Sequence, residues 1–253
     1  DKKYTSLVKI VRELGSFDAF FSFRSSFRAK FLKFLILAKN KHQFSKTKYQ
    51  NRHQVEKYND FINESLNTNF PAGKLVLYII NSTISTDKLS LGINPGASYG
   101  SAKRWYPQEF AQVAAKLSSE YDIVIFGGPD EIDIAKDIEK SLIEKGVTNY
   151  QNLVGKTTIV ELINQISSLD LFITGDSGPM HVAATFQVPT VAIFGPTRDD
   201  ETSQWMNEKS VIVKKTLDCQ PCMQRTCPLQ HHNCMKLIKA SDVFDAAKSL
   251  INH

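Results

Sequence analysis

A run of small and polar residues, Gly175-Asp-Ser-Gly-Pro-Met-His181, stands between the apolar segment Leu171-Phe-Ile-Thr174 and a stretch of helix formers. The apolar segment reads as a buried strand, short, β-rich and bounded by turn residues. Gly175 and Gly178 permit a tight turn, and Pro179 suits a first helical turn, where its missing N–H costs little. The free N–H groups and positive dipole end of the helix then face whatever lies beyond the strand, which favours a phosphate. Asp176 and His181 flank the turn and offer partners for hydroxyls. Taken alone, the motif is equally an ordinary strand-to-helix turn with a good cap.

A second loop has matching chemistry. Leu89-Ser-Leu-Gly-Ile93 is another strand-like run, followed by Asn94-Pro-Gly-Ala-Ser-Tyr-Gly-Ser-Ala-Lys-Arg-Trp105. Its glycines, with Ser98 and Ser101, expose backbone N–H groups, and Lys103 and Arg104 bring two cations. One loop that supplies a helix N-terminus and another that supplies positive charge make a diphosphate site.

The elements that must carry these loops alternate regularly from about residue 88. Strand-like runs at 89–93, 122–126, 148–153, 171–174, 190–194 and 210–214 are separated by helical patterns at 109–117, up to Lys145, 159–168 and 180–186, with a closing helix from Ser241 to Ile251. Thr158-Ile-Val-Glu161 is a capping-box pattern. Such alternation predicts an α/β fold with a parallel, doubly wound sheet, whose ligands bind outside the carboxyl ends of the strands. Loops 94–104, 127–131, 175–178 and 195–202 all leave strands at that edge and converge there although distant in sequence.

Residues 1–70 differ. Phe17 to Phe23 resembles a strand and Arg24-Ser25-Ser26 a polar turn. Phe27 to Lys39 reads as a helix with Phe27, Phe31, Phe34, Leu35 and Ala38 on one face and Arg28, Lys30, Lys33 and Lys39 elsewhere. Its apolar face either packs on a sheet or lies on a membrane. Residues 40–60, polar and rich in Lys, Gln, Asn and His, read as exposed loop and helix. One strand with its helix cannot bury a sheet, so this region looks like the remnant of a domain.

With 253 residues, 42% of them hydrophobic, the chain can bury one large core or two smaller ones. The net charge of +5 is dispersed among 26 acidic residues, which suits an acidic ligand or membrane surface and, with no recognised motif, excludes generic nucleic-acid binding. No apolar run is long enough to span a bilayer and no signal-peptide pattern is present, so a cytoplasmic protein is expected. Cys219, Cys222, Cys227 and Cys234, the four cysteines of the chain, fall in one short stretch with His231 and His232. They are either packed reduced thiols or ligands of a zinc ion in an interaction module, although the later spacings match no standard zinc module.

Asn94-Pro-Gly-Ala, Ala102-Lys-Arg-Trp105, Phe126-Gly-Gly-Pro129, Gly175 to His181, Phe194-Gly-Pro-Thr197 and the segment Cys219 to Cys234 together resemble glycosyltransferase family nine, the bacterial lipopolysaccharide heptosyltransferases. The cysteine segment is similar to the second heptosyltransferases rather than the first. The likeness implies a GT-B fold of two Rossmann-like domains with parallel sheets, the N-terminal one incomplete in this chain. Residues 1–75 are then the remnant of the acceptor-binding domain, 76–240 the nucleotide-sugar-binding domain, and 241–253 a closing helix packing back on the N-terminal domain.

The implied reaction is inverting transfer of heptose from ADP-heptose to the first heptose of the lipopolysaccharide inner core. The alternatives are another sugar transferase of the family or a nucleotide-sugar-binding module inactive in this form. By the likeness Ser98, Lys103, Ser177, Gly178, Pro179, Met180 and His181 contact the donor diphosphate, with His181 otherwise a capping residue. Lys103 and Asp176 are the catalytic residues, Asp176 orienting heptose hydroxyls. Gly127, Gly128 and Glu131 line the nucleoside pocket, and Arg24, Ser25 and Ser26 meet the acceptor or form a structural turn. No Asp-x-Asp metal motif is present, so a metal-independent reaction without cofactor is expected. The enzyme would be peripheral to the cytoplasmic face of the inner membrane. The family's opening Trp-Leu-Gly-Asp-type turn, whose aspartate is the general base, has no counterpart, and Asp1 lacks the surroundings to replace it.

Overall fold

The computed structural model describes residues 2–78 and 88–251, with the side chains of residues 2–5 left out; Asp1 lies outside the described residues. The chain divides into two compact units, 1–73 and 74–253.

The first unit runs α1 (Lys2–Glu13), β1 (Ser16–Ser22), α2 (Phe27–Leu35), β2 (Leu37–Gln43) and α3 (Gln54–Leu66). β1 and β2 pair in parallel through the crossover α2. The helix expected to reach Lys39 stops at Leu35, and Ile36 turns extended to start a second strand. That strand, Leu-Ala-Lys-Asn-Lys-His-Gln, is polar after its first two residues, with three positions exposed and four half-buried, so no hydrophobic alternation announces it. The expected apolar face of α2 is partly covered, with Phe31, Leu35 and Ala38 half-buried. Ala29 is buried, whereas Phe27 and Phe34 are 75% and 79% exposed. Packing is also supplied by aromatic rings: Phe61 of α3 meets Phe23, Phe44 and Tyr49 edge-on. His53 and Glu56 close a reciprocal cap at the start of α3.

The second unit runs β3 (Leu89–Asn94), α4 (Pro107–Leu117), β4 (Tyr121–Ile125), α5 (Ile132–Glu144), β5 (Tyr150–Asn152), α6 (Ile159–Ser167), β6 (Leu171–Gly175), α7 (Gly178–Thr185), β7 (Thr190–Ile193), α8 (Asp199–Thr202), β8 (Ser210–Val213), α9 (Asn233–Lys236) and α10 (Ala240–Ile251). Its six strands are parallel in the order β5-β4-β3-β6-β7-β8. The chain builds outward from β3 to β5, then returns to lay β6 against β3. That reversal leaves a crevice between the carboxyl ends of β3 and β6, the place where doubly wound sheets take their ligands.

Strand side chains alternate between two covered faces, which is why the strands read as unbroken apolar runs. Leu91, Ile93, Leu171 and Ile173 join one core with residues of α4, α5 and α10. Phe126 and Phe172 join the other with Ile166 of α6 and Ala183 of α7. α10 lays its apolar face on α4, β7 and β8 within the second unit. Among the described residues no helix is long and apolar enough to cross a membrane.

Gly92, in the middle of β3, has no room for a side chain. An added Cβ would overlap Leu169 and stand 2.8 Å from the Phe172 ring. Gly92→Ala therefore destabilises the second unit by about 1–3 kcal/mol, the usual range for overpacking, read as a lower urea midpoint at unchanged slope.

Candidate active site

β3 ends at Asn94 and its loop reaches the short 3₁₀ turn Ser101–Lys103. β6 ends at Gly175, and after Asp176 and Ser177 the chain enters α7. The two loops meet at the crevice. The Lys103 Nζ is 2.5 Å from Asp176 Oδ2, and both side chains are nearly buried, at 11% and 6% exposure. The same carboxylate oxygen accepts a 2.7 Å bond from the Thr197 hydroxyl, brought in by the loop after β7. The Tyr99 ring centroid lies 4.6 Å from the ammonium. The loops after β3 and β7 are thus tied to a carboxylate carried by the loop after β6, one by a charge-assisted contact and the other by a hydrogen bond.

The start of α7 is open. Ser177 does not cap it. Its hydroxyl is turned instead to Asn94 Nδ2 at 3.1 Å and the Thr174 hydroxyl at 3.2 Å. Among the described residues no atom beyond the glycine's chain neighbours and the helix backbone lies within 4 Å of where a side chain on Gly178 would begin. Pro179 occupies the first turn, where it forfeits no helical bond. An anion placed there would meet unshared N–H groups, the helix dipole and the Lys103 ammonium together.

The other expected residues fall differently. Met180, expected at the diphosphate, is fully buried against Ala192 and Phe194 beneath the helix, because its apolar thioether faces the sheet. His181 is half-buried on the first turn of α7, and Ser98 is exposed on the β3 loop. Glu131 accepts a 2.7 Å bond from the Gly128 N–H. Its carboxylate also lies over Gly96, where a Cβ would overlap it, so the β4 loop does reach the β3 loop. Gly127 packs between Glu131 and Val154. Arg24, Ser25 and Ser26 belong to the first unit, where Ser26 caps α2 by accepting from the Ala29 N–H and the Arg24 carbonyl accepts from Ser22 and Gln43.

Sequence reasoning did not single out Thr197 at the carboxylate, Tyr99 at the ammonium or Asn94 at the Ser177 hydroxyl. Only the strand order brings residues 94, 99, 176 and 197 together.

The loop from 217 to 232, which carries three of the cysteines, folds over the β3 loop. Tyr99 Oη donates to the Met223 carbonyl at 2.6 Å, and His232 bridges the Ala102 carbonyl and the Tyr106 hydroxyl. The four thiols and His231 line a cavity of about 20 Å³. Burial, with the neighbouring Cys227, Cys222 and Cys219, pushes the Cys234 thiol up to about 11. Among the described residues no three His, Cys, Asp or Glu side chains stand placed to hold a metal ion.

Larger cavities lie along the sheet. One of about 460 Å³ opens at the carboxyl ends of β7 and β8, lined by Thr197, Arg198, Lys214 and Gln220. Another of about 660 Å³ lies at the opposite edge, by the amino ends of β3, β4 and β6. The carboxylates lining that one, Asp122 and Asp170, are held by Asn149 and Ser90, so its size reflects sheet geometry rather than a chemical centre.

Residues 20–233 match glycosyltransferase family 9 (heptosyltransferase). The chain is 45% identical to lipooligosaccharide heptosyltransferase 2 of Campylobacter jejuni, over 99% of this chain and 80% of that protein. It is 33% identical to lipopolysaccharide heptosyltransferase 2 of Escherichia coli over 51% of this chain and 38% of that one. Among solved structures, a family 9 glycosyltransferase from Veillonella parvula superposes with a TM-score of 0.83 at 22% identity, covering 98% of this chain and 78% of its own. ADP-heptose lps heptosyltransferase II of E. coli superposes at 0.79 and 20% identity, covering 99% and 82%. The fold is that of the GT-B glycosyltransferases. The family match over most of the chain and the near full-length relative lead to one conclusion: this chain belongs to glycosyltransferase family 9, the heptosyltransferase family.

Proposed function

We propose that this protein is an inverting glycosyltransferase that moves L-glycero-D-manno-heptose from ADP-heptose to the first heptose of the lipopolysaccharide inner core. The observation that carries it is the Lys103 ammonium, held by Asp176 beside the uncapped start of α7. The 45% identity to a heptosyltransferase 2 over almost the whole chain supports the choice of sugar and acceptor.

An acceptor hydroxyl gives its proton to a general base as its oxygen attacks the anomeric carbon, the bond from that carbon to the diphosphate breaks, and ADP departs with the electron pair. Negative charge grows on the diphosphate as it leaves. Lys103 and the N–H groups of Ser177 and Gly178 are oriented before that moment, so they stabilise the transition state without reorganising. Asp176 orients heptose hydroxyls while holding Lys103. Glu131, with Gly127 and Gly128, takes the nucleoside, its carboxylate suited to ribose hydroxyls. The cation and the helix dipole do the work a divalent ion does elsewhere, so the transfer is metal-independent. Arg24, Ser25 and Ser26 face the anionic acceptor.

The acceptor is a lipid, which places the enzyme peripherally on the cytoplasmic face of the inner membrane. Exposed Phe27 and Phe34 among Arg28, Lys30 and Lys33 support such contact, since apolar and basic groups side by side suit an anionic bilayer.

Calorimetry of the full-length protein with ADP-heptose, ADP-glucose and UDP-glucose tests the donor, and transfer to acceptors carrying no heptose or one tests the product. ADP-heptose should bind in preference, and transfer should require the one-heptose acceptor and persist in a chelator. Preference for a uridine nucleotide, or transfer to the heptose-free acceptor, overturns the assignment.

A further inference from the structure

The cysteine-bearing loop does more than cover the β3 loop: it delivers a second cation. The Arg225 carbonyl accepts a 3.0 Å bond from the Ala102 N–H, directly before Lys103. Gly100 lies so close beneath that a Cβ there would overlap the same carbonyl, so this stretch of loop rests backbone on backbone. The Arg225 guanidinium carbon is 5.4 Å from the centroid of the Tyr99 ring, the ring that also borders the Lys103 ammonium at 4.6 Å. Tyr99 is itself fixed by its bond to the Met223 carbonyl, two residues before Arg225.

The two cations differ in one respect. Lys103 is neutralised by Asp176 and nearly buried. Arg225 is exposed, and among the described residues no carboxylate pairs with it. Its planar guanidinium, steadied on an aromatic face, keeps its N–H groups available for a bidentate anion. An unpaired arginine anchored by its own backbone to the loop that carries Lys103 is poorly explained as a surface charge.

We infer that Arg225 binds the donor's diphosphate, closing over it from the cysteine loop opposite the start of α7. The inference rests on the proposed donor site and adds a residue to it. It also gives the 217–232 loop a role in donor binding: its packing on Gly100 and Tyr99 sets where that arginine stands.

The test compares wild type, Arg225→Ala and Arg225→Lys in the full-length protein, by calorimetry with ADP and with adenosine. Substitution of an exposed side chain leaves the anchoring carbonyl in place, so folding is retained. Arg225→Ala should weaken ADP about tenfold or more, the scale of one lost charged hydrogen-bond pair, while adenosine binding is unchanged. Arg225→Lys should recover part of the loss. In turnover, the Michaelis constant for the sugar nucleotide should rise more than kcat falls. Equal weakening of ADP and adenosine would assign Arg225 a structural role through Tyr99 and overturn the inference, as would ADP binding indifferent to the substitution. Wild-type protein that fails to bind ADP at all would instead sink the donor site beneath it, and this inference with it.

Discussion

Lys103→Ala lowers the turnover of the full-length enzyme about a hundredfold or more, the cost of removing one preorganised donor from a developing anion, about 3–4 kcal/mol. The expectation follows from position. The ammonium is fixed by Asp176, by the Tyr99 face and by a 3.4 Å contact with the Asp176 carbonyl, so its location is determined before donor arrives. Lys103→Gln, which can still donate to Asp176 but carries no charge, should lose nearly as much turnover while keeping the fold. If the glutamine variant turns over within a few-fold of wild type, the charge is not needed at the leaving group and the mechanism fails.

Asp176→Ala produces the second large effect, on stability and on rate. It strands the Lys103 ammonium and removes the acceptor of the Thr197 hydroxyl. Breaking one side of a buried pair costs about 3–5 kcal/mol. The lower end applies here, because the Lys103 side chain keeps 11% exposure and an aromatic neighbour. A urea titration reads that loss directly. The double variant Lys103→Ala with Asp176→Ala separates the two roles, since contacting residues are not additive. It should regain stability relative to Asp176→Ala alone, no uncompensated charge remaining, and yet stay as inactive as Lys103→Ala. Recovery of activity with stability would show that the pair only holds the fold.

The second unit was legible because its strands are covered on both faces. Leu171-Phe-Ile-Thr174 and Thr190-Val-Ala-Ile193 are apolar at every position but the polar threonines, and Gly and Pro punctuate the turns after them. β2 was not legible for the opposite reason. Most of its side chains are polar and none is fully buried, and only its ladder to β1 makes it a strand. In α2 the pattern of phenylalanines suggested a packed face, yet the chain buries Ala29 and leaves Phe27 and Phe34 outside. At the site, Lys103 and Asp176 could be read from two motifs, since each sits in a loop of recognisable composition. Met180 could not be separated from its neighbours, because facing the sheet or the crevice is decided by helix rotation rather than residue type. Thr197, Tyr99 and Arg225 are recognisable only once the strand order puts their loops against the same carboxylate and ring.

The pairing of Lys103 with Asp176 has a bearing on selectivity in a cell full of phosphates. A lysine already balanced by its own carboxylate offers little bare field to a passing orthophosphate or stray nucleotide. A ligand whose hydroxyls share Asp176 leaves that fixed ammonium more of its charge for the diphosphate. Sugar and phosphate are in that way favoured jointly, and a molecule bearing phosphate alone meets a weaker cation.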